Sequence, residues 1–117
     1  MIYENFPRHH YLEILSNSVC IIGNSSSGVI ESSSFKIPSI NIGRRQKNRL
    51  KPKNVIDIPA FNEKKILKAI AKIKSKKFQK LISKIKNPYG DGNSSKKIIN
   101  ILKLIKNNKN LMMKEMT

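Results

Sequence analysis

The stretch from Val19 to Glu31, VCIIGNSSSGVIE, limits the fold more than any other part of the chain. An apolar run (Val19, Cys20, Ile21, Ile22) meets Gly23 and Asn24, then Ser25, Ser26, Ser27 and Gly28, then residues able to open a helix. A short, continuously apolar segment ahead of a turn reads as a buried strand of a parallel sheet. Ser and Asn at the junction are favoured helix caps. The first amides of such a helix lack intrahelical partners and sit at the positive end of its dipole. Hydroxyls and amides gathered there suit an anionic group, a phosphate above all. An ordinary strand-to-helix turn with capping serines has the same composition, and the local pattern leaves both readings open.

Length sets the scale for that element. At 117 residues the chain is one domain at most, small for an α/β architecture. The single cysteine, Cys20, lies inside the apolar run and reads as a buried thiol in a reducing compartment. The N-terminus lacks a signal-peptide pattern, and no apolar run nears the roughly 20 residues of a membrane span. A cytoplasmic protein without a membrane partner is the expectation.

Charge is unevenly distributed. Residues 1–35 hold one basic residue (Arg8) and three acids (Glu4, Glu13, Glu31), net −2; residues 36–117 hold 23 basic and four acidic residues, net +19. Such a field attracts nucleic acid or anionic surfaces. The lysines recur at helix-surface spacing, however, without an arginine or aromatic cluster, which favours solvated faces of amphipathic helices.

Residues 1–7 read as an extended segment ending at Pro7. Residues 8–17 form a helix whose apolar face is Tyr11, Ile14 and Leu15. His9 and His10 are adjacent and point apart on that helix, and no Cys or carboxylate completes a metal-ligand set. After the serine loop a short helix carries Val29 and Ile30 inward and stops before Pro38. Residues 38–43 and 54–59 are two further strands, separated by the basic loop Arg44 to Lys53. Asn62 caps a helix with Ile66, Leu67, Ile70 and Ile73 on one face. A break near Ser75 precedes a second helical pattern of Phe78, Leu81, Ile82 and Ile85. NPYGDG (residues 87–92) is a dense turn. A last helix from Asn93 or Ser94 carries Ile98, Ile101, Leu102 and Ile105. The domain is placed at residues 1–107 and a frayed tail at 108–117. The order predicts α/β class, a parallel sheet flanked by helices. Ligands of such sheets bind at the carboxyl ends of the strands. The loops at 24–28 and 43–53 both leave such ends.

Known site patterns narrow the chemistry. Gly23-Asn24-Ser25-Ser26-Ser27 lacks the second glycine of a nucleophile elbow. Gly23 to Gly28 has P-loop spacing, but Val29 stands where the lysine belongs. Glu31 is placed to accept two hydrogen bonds from a vicinal diol such as ribose; a dipole partner in a first helical turn is the alternative. Arg45 can reach a phosphate, with Arg44 and Arg49 as rivals. Together these residues describe a nucleoside diphosphate site.

GNSSSGVIE, IPSINIGRRQKNRL and NPYGDGNSSKKI, in this order, closely resemble the C-terminal part of hydrolysing UDP-N-acetylglucosamine 2-epimerases of the branch feeding sialic and related nonulosonic acid synthesis. The resemblance runs over roughly residues 6–105. It implies the Rossmann-like C-terminal half of a two-domain GT-B-type fold. It also implies that Ser25 and Ser26 bind the diphosphate of UDP or UDP-GlcNAc, Glu31 the ribose hydroxyls, and Arg45 the nucleotide. Phe6 matches a position whose backbone meets uracil, and Asn87 to Gly92 a structural turn. The family eliminates UDP to give a 2-acetamidoglucal, then hydrates it to N-acetylmannosamine. The carboxylates and histidine used for this lie upstream of the matched region, so no catalytic residue, metal or cofactor is assigned. The expectation is a UDP-binding half, inactive alone, from a truncated or split protein. Its partners would be a separately encoded N-terminal half and, in the full-length family, further copies of itself. A basic nucleic-acid-binding protein and a non-catalytic interaction module are the rival classes.

Overall fold

The computed structural model describes residues 1–105. Helix α1 (Arg8–Ser16) leads to strand β1 (Ile21–Gly23), the four-residue helix α2 (Ser27–Ile30), β2 (Ser39–Ile42) and β3 (Val55–Ile58). Helices α3 (Glu63–Lys74), α4 (Lys76–Ser83) and α5 (Ser94–Leu104) complete it. The expected frayed tail at 108–117 lies outside the described residues.

The three strands form one parallel sheet in the order β1-β2-β3. Ile22 pairs with Ile40, and Ile40 with Ile56. Alternation along β2 separates the two faces of the sheet. Ile40 packs with Ile58, Ala69, Ile73, Phe78 and Ile82, with Cys20, Ile42, Ile56, Ile66, Ile70 and Ile85 around them. This is the apolar core beneath α3 and α4. The opposite face of β2, Ser39 and Asn41, receives α2, because a Cβ at Gly28 would stand 2.7 Å from Ser39 Oγ. Helices on both faces of a parallel sheet make the chain Rossmann-like α/β, as expected.

The α2 face is filled by small polar groups. Ser27, Ser32, Ser33, Ser39, Asn41 and Asn54 are all buried. Asn54 Nδ2 donates to Ser32 Oγ (2.8 Å) and to the Ile37 carbonyl (2.7 Å), while Ser32 Oγ donates to the Gly28 carbonyl at 2.8 Å. These bonds hold the turn after α2 against the amino end of β3.

Several expectations need correction. β1 is an edge strand among the described residues: Val19 is 77% and Ile22 46% exposed, because no strand lies on its outer side. Cys20 is only half-buried, although that burial raises its thiol pKa above the ordinary value. Ile14, Leu67 and Leu81 are exposed, and Ala69 takes an inward place on α3 instead. The α3 and α4 boundaries match the sequence. Asn62 Oδ1 accepts from the Lys65 amide at 2.9 Å, and Ser75, which closes α3, caps α4 by accepting from the Phe78 amide at 3.2 Å. Lysines 64, 65, 68, 72, 76, 77 and 80 are exposed, as solvated helix faces. Helix α5 buries none of its residues: Ile98, Ile101 and Leu102 are more than half exposed.

Candidate functional site

Two glycines end the first two strands and turn their loops to the same edge of the sheet. Gly23 has φ 147° and Gly43 φ 92°, conformations that a side chain would strain. The loop after β1 presents Asn24, Ser25 and Ser26; the loop after β2 presents Arg44, Arg45 and Gln46. Register places Gly23 beside Asn41, so both loops leave neighbouring strand ends.

The first three helical amides, those of Ser27, Gly28 and Val29, are engaged within the loop itself. Ser27 N–H donates to Ser25 Oγ (3.3 Å), Gly28 N–H to the Ser25 carbonyl (3.2 Å) and Val29 N–H to the Ser26 carbonyl (3.0 Å). Helix α2 is also too short for a full macrodipole. The amides of Ser27, Gly28 and Val29 are therefore not the free cradle expected, and an anion here meets the side-chain hydroxyls rather than those three amides. Ser26 stands at the cap position in helical geometry, φ −61° and ψ −27°, and its side chain makes no capping bond. The pure capping explanation fails for Ser26 on that geometry. Ser25 is exposed and Ser26 half-buried.

Glu31 closes α2 rather than occupying a first turn. A carboxylate at a helix carboxyl end gains nothing from the dipole, so that explanation of Glu31 fails too. Instead Arg8 Nη2 lies 2.8 Å from Glu31 Oε1, the Glu31 side chain being 21% exposed and that of Arg8 74%. Tyr11 Oη adds a second tie, donating to Ser27 Oγ at 2.6 Å. The N-terminal segment and α1 thus lie against α2. A cleft of about 560 Å³ opens between the N-terminal segment and α1, lined by Phe6, Arg8 and Tyr11 among others. The Tyr3 and Phe6 rings meet at its wall, tilted by 45° with centroids 4.7 Å apart.

Arg45 is exposed and has no ion-pair partner among the described residues. Its neighbour Gln46 is only 2% exposed and donates from Nε2 to the Asn24 carbonyl at 2.9 Å. The turn at 87–92 serves the same region from behind. Asn87 Nδ2 donates to the Ile30 carbonyl and to Ser34 Oγ, both at 2.7 Å. This bond closes the end of α2 opposite Ser26.

The structure thus gathers Ser25, Ser26 and Glu31 on α2 and its flanks, puts Phe6 in the adjoining cleft, and joins the Arg45 loop through Gln46. Sequence reasoning missed Arg8, Tyr11 and Gln46. Arg8 had a signal, being the one basic residue in the first 35; an uncharged glutamine has none. No group of three or more His, Cys, Asp or Glu side chains suited to a metal exists among the described residues. No described helix is long and apolar enough to cross a membrane.

A parallel sheet with helices on both faces and a hydroxyl-rich loop at the carboxyl end of its first strand defines a Rossmann-like α/β unit. The chain belongs to the UDP-N-acetylglucosamine 2-epimerase family, whose model matches residues 1–103. It is 40% identical over 96 residues to polysialic acid biosynthesis protein P7 of Escherichia coli, covering 82% of this chain and 24% of that protein. It is 36% identical over 104 residues to UDP-N,N'-diacetylbacillosamine 2-epimerase (hydrolyzing) of Legionella pneumophila, covering 89% and 26%. Over 78 residues it is 42% identical to GDP/UDP-N,N'-diacetylbacillosamine 2-epimerase (hydrolyzing) of Campylobacter jejuni, covering 67% and 20%. The chain spans about a quarter of the length of the first two relatives.

Proposed function

We infer that the chain is the UDP-binding, C-terminal part of a hydrolysing UDP-N-acetylglucosamine 2-epimerase. The family reaction is UDP-GlcNAc plus water giving UDP and N-acetylmannosamine, in sialic or related sugar synthesis. The observation that carries this reading is the placement of Ser26 and Glu31 at the two ends of one short helix, neither engaged as a helix cap or dipole partner would be. They flank the helix five positions apart, about 7.5 Å of helical rise. In this reading the Ser25 and Ser26 hydroxyls donate to diphosphate oxygens. Arg45 swings from its exposed turn to add a charge-assisted bond, and Glu31 accepts from the ribose diol. Uracil enters the cleft beside the Phe6 backbone.

Binding nucleotide equally in ground and transition states does not accelerate a reaction, and the elimination needs acid–base groups that this site does not supply. The isolated chain therefore binds without turning over. The apolar residues of α5 left exposed among the described residues (Ile98, Ile101, Leu102) support a place inside a larger assembly. We assign their cover to the remaining three quarters of the family fold, carried by the same polypeptide or a separate one. Self-association of the completed protein and a cytoplasmic, reducing setting complete the proposal.

The test is a thermal-shift comparison of UDP, uridine and inorganic pyrophosphate, run beside an N-acetylmannosamine release assay. UDP should raise the unfolding midpoint more than either fragment, with no release of N-acetylmannosamine. Equal shifts with UDP and pyrophosphate would reject a nucleoside diphosphate site, and turnover by this chain would reject the division of labour.

A further inference from the structure

Gln46 is buried where neither charge nor apolar packing requires it. It follows Arg44 and Arg45 in the loop after β2, yet is 2% exposed among exposed neighbours on both sides. One amide hydrogen reaches across 22 residues to the Asn24 carbonyl at 2.9 Å, and the amide oxygen Oε1 is buried without a hydrogen-bond partner. Only the donor half of the amide is used, and it is used between the two loops. The backbone around it is a tight turn: Lys47 N–H donates to the Arg44 carbonyl (3.0 Å) and Arg49 N–H to the Gln46 carbonyl (3.2 Å). The side chain therefore anchors the whole arginine turn, not merely its own Cα. Its acceptor, Asn24, immediately precedes Ser25.

We propose that Gln46 is a positioning residue for diphosphate recognition: its bond to the Asn24 carbonyl sets the distance between the serine hydroxyls and Arg45. The inference rests on the nucleoside diphosphate reading given above and adds the device that holds its two phosphate-binding loops in register. Two loops that must contact one small anion gain from being fixed before it arrives, because the ordering cost is then met on folding rather than on binding. Gln46 itself touches no nucleotide; it acts through Ser25, Ser26 and Arg45. Loss of its bond should weaken contacts to the diphosphate and leave those to the nucleoside unchanged.

Affinities for UDP and for uridine, measured on the full chain and on Gln46→Met and Gln46→Glu variants, test this. Methionine keeps the length and removes the donor. Glutamate keeps the length, and its buried carboxyl donates a hydrogen bond only when protonated. For Gln46→Met the expected result is a tenfold or greater loss of UDP affinity with uridine affinity changed less than twofold, at a temperature where circular dichroism shows the variant folded. For Gln46→Glu, UDP affinity relative to wild type should recover on acidification from pH 8 to pH 5. This second arm decides the matter if the methionine variant does not fold. A purely structural role would lower the unfolding midpoint and leave the UDP-to-uridine affinity ratio unmoved, with no recovery in acid; either finding overturns the proposal. If wild type binds no UDP, the nucleotide reading itself has failed. If wild type binds and the variants keep its ratio at every pH, only the role of Gln46 has failed.

Discussion

Gly28 occupies the second glycine position of a P-loop-like spacing, but packing explains it better than phosphate binding. An alanine Cβ at this site would lie 2.7 Å from Ser39 Oγ. Carbon–oxygen contacts ordinarily begin at about 3.3 Å, so the neighbour must retreat by about 0.6 Å. Ser39 is 3% exposed and pairs on both sides, with Ile21 and Val55, which limits its retreat to rotation of the hydroxyl. Overpacking of this type costs about 1–3 kcal/mol, while alanine gains about 0.5–1 kcal/mol over glycine in a helix. Gly28→Ala should therefore destabilise by up to about 2.5 kcal/mol. In a Ser39→Ala background the obstructing oxygen is gone. The nearest remaining atoms, Ile21 Cγ2 at 3.5 Å and Ser39 Cβ at 3.8 Å, are in ordinary contact. There Gly28→Ala should be neutral or stabilising by up to about 1 kcal/mol. Urea unfolding of the four proteins measures the coupling, provided the m-value is constant. Equal destabilisation in both backgrounds would refute the contact as the reason for glycine.

Other expectations follow from the same packing. Ile40→Ala, at a fully buried centre of the core, should cost about 2–5 kcal/mol in urea unfolding. Asn54→Ala strips the donors from Ser32 Oγ and the Ile37 carbonyl; a loss of about 1–3 kcal/mol is expected on the same assay. Burial raises the Cys20 thiol pKa, so its alkylation at pH 8 should be slower in the folded chain than in urea. The Asp91 carboxyl is held below its ordinary value of 3.8 by the Asn93 amide first and then by Lys97. A depressed folded pKa adds stability above the unfolded value that is lost as pH falls through the folded one. The stability difference between wild type and Asp91→Asn should therefore be constant at neutral pH and shrink only below pH 3.8.

What was legible in the sequence was whatever depends on local rules. Asn62 and Ser75 announce helix ends because capping is a contact within three residues. The parallel sheet follows from strands alternating with helical segments. Exposure was less legible. Val19 and Ile22 are as apolar as a central strand requires, yet among the described residues β1 lies at an edge, and only the order of the strands reveals it. Likewise the apolar residues of α5 have the periodicity of a buried helix but meet no cover among the described residues. The serine loop was recognisable as a site by its letters. The division of its serines was not: Ser27, Ser32 and Ser33 are buried, while Ser25 is exposed and Ser26 half-buried. Ties that span the chain, Arg8 to Glu31, Gln46 to Asn24 and Asn87 to Ile30, leave no local pattern.

Calorimetric titration of UDP into the purified chain at low and high salt, beside Ser26→Ala and Glu31→Ala, is the most direct test of the nucleotide site. Saturable one-to-one binding with modest salt dependence, weakened tenfold or more in each variant, is the expected result. Binding that falls steeply with salt and is unchanged in both variants would instead mean that the +19 lysine-rich segment attracts UDP as it would any anion, and the site built on α2 would have to be abandoned.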